Sequence, residues 1–395
     1  MLLTGSNGFV GSHTTDAAQA AGWRVIGLGR SAQPATTPSG RRVDRYLSHD
    51  LRRPLIPHLA GRLAGLLDEP VDAIVHAAAL ASPWASPRDY IDHNIRATQH
   101  VLEWAATHDY PPVHFISSSS VFYRPADQFD ISESTPIPAD RDQVNGYSRS
   151  KAVAERLVAT YPGPWSILRP RAVIGPGDTV VLPRVVEAAH RGQLPLFRRR
   201  DGQTVRCDLT PVQTIAHDIV AAATTTATGA YTLTNGETVE LYPFLLDVLR
   251  RLDVPAPTRR LPVGLAMAAA GLAEQVSARF ADYREPAITR FGISMFAYSK
   301  TFDATRARTA FGPPPLSLTE CVDGIVASWQ ASHRWLRAWA VPTTGAAQTG
   351  SSPGSPRHTS ARMPSASPSP SAASTATRHP LHPAALSPRD RATPQ

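Results

Sequence analysis

At 395 residues with a hydrophobic fraction of 42%, the chain is long enough for an α/β core with a lobe attached, and its two cysteines, Cys207 and Cys321, exclude a disulfide framework or a cysteine metal cluster. The net charge of +8 invites nucleic acid until it is divided. Beyond Val341 five arginines stand against one aspartate, which gives the tail +4 and leaves +4 for everything before it, with no basic stripe. Nucleic-acid binding is therefore excluded as a reading. The start, MLLTGSNG, has neither the charged nor the apolar region of a signal peptide, and together with the sparse cysteines this predicts a cytoplasmic protein. The longest apolar run, Leu261 to Ala273, falls short of the ~20 residues of a membrane span. No integral span is expected, and the run reads as a core helix ahead of an interfacial one.

Leu2-Leu3 ends a short first strand, so short that a start a few residues upstream of Met1 is expected. Thr4-Gly5-Ser6-Asn7-Gly8-Phe9-Val10-Gly11 follows, then a helix over 13–21. A strand, a glycine-rich turn and a helix form the geometry that holds a pyrophosphate. Gly5 permits the turn, Gly8 the approach of phosphate, and Gly11 the packing of helix on strand. The spacing is G-x-x-G-x-x-G rather than G-x-G-x-x-G. A second strand is expected over 23–28. An acidic residue at its end would bind the ribose 2′-hydroxyl of NAD, but the chain has Gly29, Arg30 and Ser31 there. Arg30 suits a 2′-phosphate and tilts the cofactor from NAD toward NADP.

Strands are expected over 46–51, ending in Asp50-Leu51, and over 71–76, running into His76-Ala77-Ala78-Ala79, with His76 structural rather than catalytic. Helical periodicity spans 89–108. A strand over 113–116 opens into Ser117 to Ser120, at the carboxyl end where parallel sheets bind ligands. Next comes Tyr147-Ser148-Arg149-Ser150-Lys151. Four residues apart on a helix, the phenol and the ammonium share a side, and the positive charge is expected to lower the phenol's pKa toward general acid/base use. The chain has just two lysines, Lys151 and Lys300, among forty basic residues, so a lysine at this place is a chosen one. A strand over 165–169 precedes Arg169-Pro170-Arg171. Helices are then expected over 182–191, 215–225 and 243–252, a strand over 230–234 and a last helix over 319–339. The alternation predicts an α/β fold: a Rossmann-type doubly wound parallel sheet over 1–340, its cofactor part about 1–180, with a smaller interleaved substrate lobe mainly over 181–340. Residues 341–395, rich in Ser, Pro and Ala, are expected to be a disordered tail.

These motifs, in this order, resemble the extended short-chain dehydrogenase/reductases, the NAD-dependent epimerase/dehydratase family. They are TGSNGFVGSH, HAAA, the serine run, YSRSK, Asn94 in DHNIRATQHVL, Glu133-x-x-Pro136 and RPRAVIGPGD. The resemblance implies that Tyr147 is the catalytic acid/base, that Lys151 holds the nicotinamide ribose, and that Ser118, with Ser119 as the fallback, binds the reacting oxygen. It also implies that Gly5, Asn7, Gly8, Phe9, Val10, Gly11, Asp50, Leu51, Ala77, Ala78, Ala79, Asn94, Pro170 and Val173 line the cofactor. Val121-Phe122-Tyr123 departs from the family's Val-Tyr-Gly, so the loop above the substrate is expected to differ. The stretch 288–312 resembles the 3β-hydroxysteroid dehydrogenase-like branch, which implies hydride transfer on an apolar hydroxy or keto substrate. Nucleotide-sugar epimerase or dehydratase chemistry is the alternative, and a non-catalytic NADP-binding sensor a further one. A small-molecule substrate and a homodimer formed through helices are the family's habit, and no metal is expected.

Overall fold

The structure, a computed structural model, describes residues 1–55, 70–178, 181–199, 201–225 and 227–339, with side chains to residue 331. The expected tail from Val341 lies outside these residues. Seven strands form one parallel sheet: β1 (Leu2–Thr4), β2 (Ile26–Gly29), β3 (Arg45–Ser48), β4 (Ile74–His76), β5 (Val113–Ile116), β6 (Trp165–Pro170) and β7 (Gly229–Leu233). Their order is β7-β6-β5-β4-β1-β2-β3, with every neighbour parallel. The expected doubly wound sheet is therefore present. Its order reverses between β1 and β4, which opens a crevice at their carboxyl ends.

Alternation of side chains across the strands divides the core. Leu3, Val75, Ile116 and Leu168 face α4 (Val212–Thr224), through Ile215 and Ile219, and Ala18 of α1 (Phe9–Ala20). Leu2, Ile26, Leu28, Ile74 and Val113 face the other way, against Val101 and Trp104 of α2 (Ala97–Ala106). Phe115 and Ile167 pack on Ala154 and Val158 of α3 (Gly146–Ala159).

Three elements depart from expectation. Strands β2 and β4 are shorter or shifted, because β1 offers only Leu2 to Thr4, in register with Ile26 to Leu28 on one side and Ile74 to His76 on the other, and β3 follows β2, with Arg45 to Ser48 in register with Ile26 to Gly29. The helix expected over 89–108 is interrupted. Pro87–Tyr90 is α-helical, Ile91–Arg96 is a π-helical turn, and α2 follows. The buried Asn94 sits in that turn. The run Leu261 to Ala273 becomes α5 (Val263–Phe280), which is not a core helix. It buries Ala266, Ala270, Glu274 and Ser277 and leaves Leu265, Leu272, Val276 and Phe280 exposed.

The lobe is interleaved with the sheet as expected. Gln128–Ile131, from the first half, pairs with Lys300–Phe302 in a four-stranded sheet with Arg206–Asp208 and Thr238–Glu240. In return, β7 and α4 join the central layers. Val185 and Val186, Leu245, Val248 and Leu249, and Val322, Ile325 and Val326 make the lobe's core.

Candidate active site

The crevice at the sheet's switch point is a cleft of about 280 Å³. It gathers Gly5, Asn7, Gly8, Arg30, Asp50, Leu51 and Ala77 to Ala79 from the ends of four strands. Gly5 has φ of +72°, and a Cβ there would lie 2.8 Å from the amide nitrogen of Ala78. A Cβ on Gly11 would lie 2.1 Å from the carbonyl oxygen of Gly5. Gly11→Ala is thus expected to push helix off turn and cost about 1–3 kcal/mol or more. A thermal melt beside an NADH fluorescence titration checks this, with both melting temperature and affinity falling. The N-terminus of α1 carries no side-chain cap and no acid in its first turn, so the amides that begin at Phe9 and Val10 are left for a ligand. Asn7 reaches sideways instead. Its Nδ2 donates to the carbonyl of Gln33 at 3.0 Å and its Oδ1 accepts from the amide of Ala35 at 2.9 Å, which pins the loop after Arg30. Asp50 is gripped by Arg52 at 2.6 Å, and that guanidinium holds its carboxyl down to about 2.

His76 stands beneath the cleft between Thr4 Oγ1, at 2.7 Å, and Thr98 Oγ1, at 3.0 Å. Burial lowers it to about 3, so the imidazole is neutral and structural. Asn94 is engaged within the protein. Its amide bonds Leu80 through both ends, at 2.7 and 3.2 Å, and Ser150 Oγ at 2.8 Å, tying the end of β4 to α3. Pro170 is buried at the end of β6, and Val173 pairs with Thr210 in a short two-stranded ladder.

Asn145 caps α3, its Oδ1 accepting from the amide of Ser148 at 2.8 Å. Tyr147 stands in the first turn of that helix, near Ser118, whose hydroxyl acts to lower the phenol's pKa. Ser119 points elsewhere, to Tyr123 at 3.0 Å. Of the two serines, the structure therefore brings Ser118 to the tyrosine. Ser118 also donates to Ser120 Oγ at 3.0 Å, as Ser148 does. Lys151, one turn on, is buried. Its Nζ donates to the carbonyl of Ile116 at 2.6 Å and lies 4.4 Å from the centroid of the Phe115 ring. Burial lowers its pKa to about 7, against an opposing effect of Glu155.

The expectation that Lys151 lowers the phenol is not met. Burial pushes Tyr147 up to about 12, the Ser118 hydroxyl works against that, and the ammonium is turned to Ile116. Two further groups, Glu155 and Tyr90, were not foreseen from the sequence. Glu155 accepts from Ser117 Oγ at 2.5 Å and from Arg169 at 2.7 and 2.9 Å, all of it buried. Its place four residues after Lys151 was the available signal. Tyr90 donates to the carbonyl of Ser82 at 2.8 Å and lies near both Tyr147 and Glu285. The departure at Tyr123 is explained by what surrounds it: Phe291 and Phe302 on its sides and the buried Arg171 over its ring, 5.4 Å from the centroid.

A second, larger cavity of about 660 Å³ opens in the lobe. Pro83 is in its wall and accepts at its carbonyl from the Asn145 cap at 3.2 Å. Leu194, Phe197, Leu261, Ile288, Ile293 and Phe296 make it apolar. Its charged rim is paired, Arg184 with Glu285 at 2.6 Å and Arg191 with Glu187 at 2.6 Å.

The sequence matches the model of the NAD dependent epimerase/dehydratase family over residues 1–233. The chain belongs to this family. Its relatives include a 2-alkyl-3-oxoalkanoate reductase of Shewanella oneidensis, 28% identical over 79% of this chain and 81% of that protein. A 3beta-hydroxysteroid-dehydrogenase/decarboxylase of Arabidopsis thaliana is 27% identical over 70% of this chain and 66% of that one. The expected 3β-hydroxysteroid dehydrogenase-like branch is thus among its relatives. A UDP-glucose 4-epimerase of Thermus thermophilus, solved with NAD, shares the family's fold with a TM-score of 0.61, at 20% identity over 84% of this chain and 99% of that one. Membership supports NAD-dependent chemistry of the oxidoreductase or epimerase kind.

Proposed function

We propose that the chain is an NAD(P)-dependent oxidoreductase acting at a hydroxyl or carbonyl carbon of an apolar, steroid-like or 3-oxoacyl-like substrate. The observation that supports this reading is the apolar cavity of the lobe, whose wall includes Pro83, the residue bonded to the Asn145 cap two residues before Tyr147, and whose arginines Arg184 and Arg191 are paired with Glu285 and Glu187. A nucleotide diphosphate would have to compete with Glu285 and Glu187 for these arginines, whereas an apolar substrate needs neither. The names of the relatives, a 2-alkyl-3-oxoalkanoate reductase and a 3beta-hydroxysteroid dehydrogenase, agree with an apolar substrate.

A dinucleotide fits the first cleft, since the uncapped start of α1 and the small Gly5, Gly8 and Ala77 to Ala79 leave room and amides for a pyrophosphate. Bound there, it supplies or accepts the hydride. In this reading Lys151 holds the nicotinamide ribose, Ser118 donates a hydrogen bond to the reacting oxygen, and Tyr147 gives that oxygen its proton in reduction and takes it in oxidation. Arg30 at the cleft edge, where a carboxylate would select NAD, supports NADP. Arg30→Ala is expected to weaken NADPH about tenfold or more while leaving NADH within about twofold, as a charge-assisted bond contributes roughly 1.5–3 kcal/mol. Fluorescence titration of both nucleotides measures this, and equal losses for the two would end the NADP assignment.

The reading as a whole is tested by following the nicotinamide absorbance with β-hydroxysteroids, 3-oxoacyl compounds and UDP- or dTDP-sugars. Net oxidation or reduction is expected with the apolar substrates. Conversion of a sugar with no net change in nicotinamide would overturn it in favour of epimerase or dehydratase chemistry.

A further inference from the structure

The helix α5 is built inside out. Its fully buried residues are small or polar, Ala266, Ala270, Glu274 and Ser277, with Val263 and Met267 packed half-buried beside them, whereas four of its large apolar side chains, Leu265, Leu272, Val276 and Phe280, face away. Leu265 is 65% exposed, Leu272 64% and Phe280 81%, with Val276 between them at 48%. Positions 265, 272, 276 and 280 form one stripe along about four turns. A helix that merely covered a core would have the reverse arrangement, and large apolar patches on a surface mark a contact. Both ends of the stripe are basic. Arg259 and Arg260 precede the helix, and Arg279 and Arg284 close it, all exposed and none in an ion pair among the described residues.

We propose that the outer face of α5 docks on an anionic phospholipid surface, lying in the plane of the headgroups. An apolar face flanked by cations is the composition of an interfacial helix. No helix of the described residues is long and apolar enough to cross a membrane, so the contact is one of lying on rather than spanning. A second copy of the chain fits less well. Pairing two such helices antiparallel brings Arg259 and Arg260 against Arg279 and Arg284, and pairing them parallel brings each cluster against itself.

The helix is also fastened to the substrate cavity at both ends. Leu261 of Arg260–Pro262, just before α5, and the stretch from Glu285 to Thr289, just after it, line the cavity wall. Ser277, on the inner face, accepts from Trp84 Nε1 at 3.0 Å, and Trp84 adjoins Pro83 in the same wall. Docking would thus set the cavity against the bilayer, from which an apolar substrate enters without crossing water. This route rests on the proposed function, whereas the docking does not.

The test uses the full chain and sedimentation with phosphatidylcholine vesicles, with and without phosphatidylglycerol. Binding is expected to anionic vesicles, weakened by salt, and Leu272→Gln with Phe280→Gln should lower the partition constant at least about tenfold with melting temperature and NADH affinity kept. The basic tail is identical in both proteins, so the difference reports the helix. A second measurement uses Leu272→Cys labelled with a polarity-sensitive dye, selective because Cys207 and Cys321 are buried. Its emission should shift to the blue on anionic vesicles. Vesicle binding unchanged in the double variant, a dye that stays in water, or a parent dimer that the same substitutions dissociate would each overturn the proposal. None of these readouts needs turnover, so a failed substrate panel leaves them intact.

Discussion

Tyr147→Phe is expected to lower kcat at least about 100-fold, close to 2.7 kcal/mol of transition-state stabilisation, with the affinity for nicotinamide cofactor within about twofold of the parent. The ring stays in its place in the first turn of α3, and only the hydroxyl that meets Ser118 is lost. The state of that hydroxyl sets the pH dependence. Burial holds its pKa up at about 12, so it carries its proton across the working range. As a donor in reduction it is ready at every pH below that value, and the reductive rate should be flat on its account. In oxidation it has to be free of the proton, so the oxidative rate should rise with pH toward 12. Both the tyrosine-dependent rate and that slope should vanish together in the phenylalanine variant. Steady-state rates in the two directions over pH 6 to 10 decide it, and a variant retaining more than about a tenth of the parent rate would remove Tyr147 from the acid/base role.

The sequence carried the topology because its signals are local. Apolar runs that end in glycine, alanine or serine mark strands whose carboxyl ends face the crevice, and this is where Gly5, Ala77 and Ser118 are found. Strand lengths were not legible, since they depend on a partner. Val71 to Ala73 read as strand, yet the ladder with β1 begins at Ile74, and of the three only Ala73 is met, by the amide of Leu2 at its carbonyl. The break of the helix at Ile91–Arg96 is likewise tertiary. Asn94 is drawn inward to bond Leu80 and Ser150, and nothing in its flanking sequence announces a partner 56 residues away.

Two misreadings have one physical origin, which is that composition does not give direction. Leu261 to Ala273 is apolar almost throughout, so its buried side cannot be told from its exposed side until Ala266 and Ala270 are seen facing inward. The pairing of Tyr147 with Lys151 is correct as spacing, but the ammonium turns to the carbonyl of Ile116 and the phenol to Ser118. A shared helical face brings two groups into one neighbourhood, and hydrogen-bonding partners from other elements then decide what each of them meets.

Beneath that pair lies the arrangement whose disruption should cost the fold most. Glu155 accepts two bonds from Arg169 and one from Ser117, with the Arg169 and Glu155 side chains only 7% and 5% exposed. Arg169 is also held over the ring of Phe122, 4.8 Å from its centroid, inside the same packed layer. Glu155→Ala strands the guanidinium without a counter-charge and is expected to destabilise by about 3–5 kcal/mol, because the penalty is that of a buried unpaired cation rather than the loss of a contact. Replacing both partners, Glu155→Leu with Arg169→Met, should recover most of that loss, since neither charge then remains to be solvated. The two differ in what they do to the site. Glu155 is the group that works against the lowering of Lys151, so in the double variant Lys151 should titrate further below 7 even where the fold is restored. Denaturant unfolding of the single and double variants measures the first effect, and the pH dependence of amine labelling at Lys151 measures the second. A single variant as stable as the double would mean that water reaches Arg169 and that the pair is not the closed, buried unit its bonds describe.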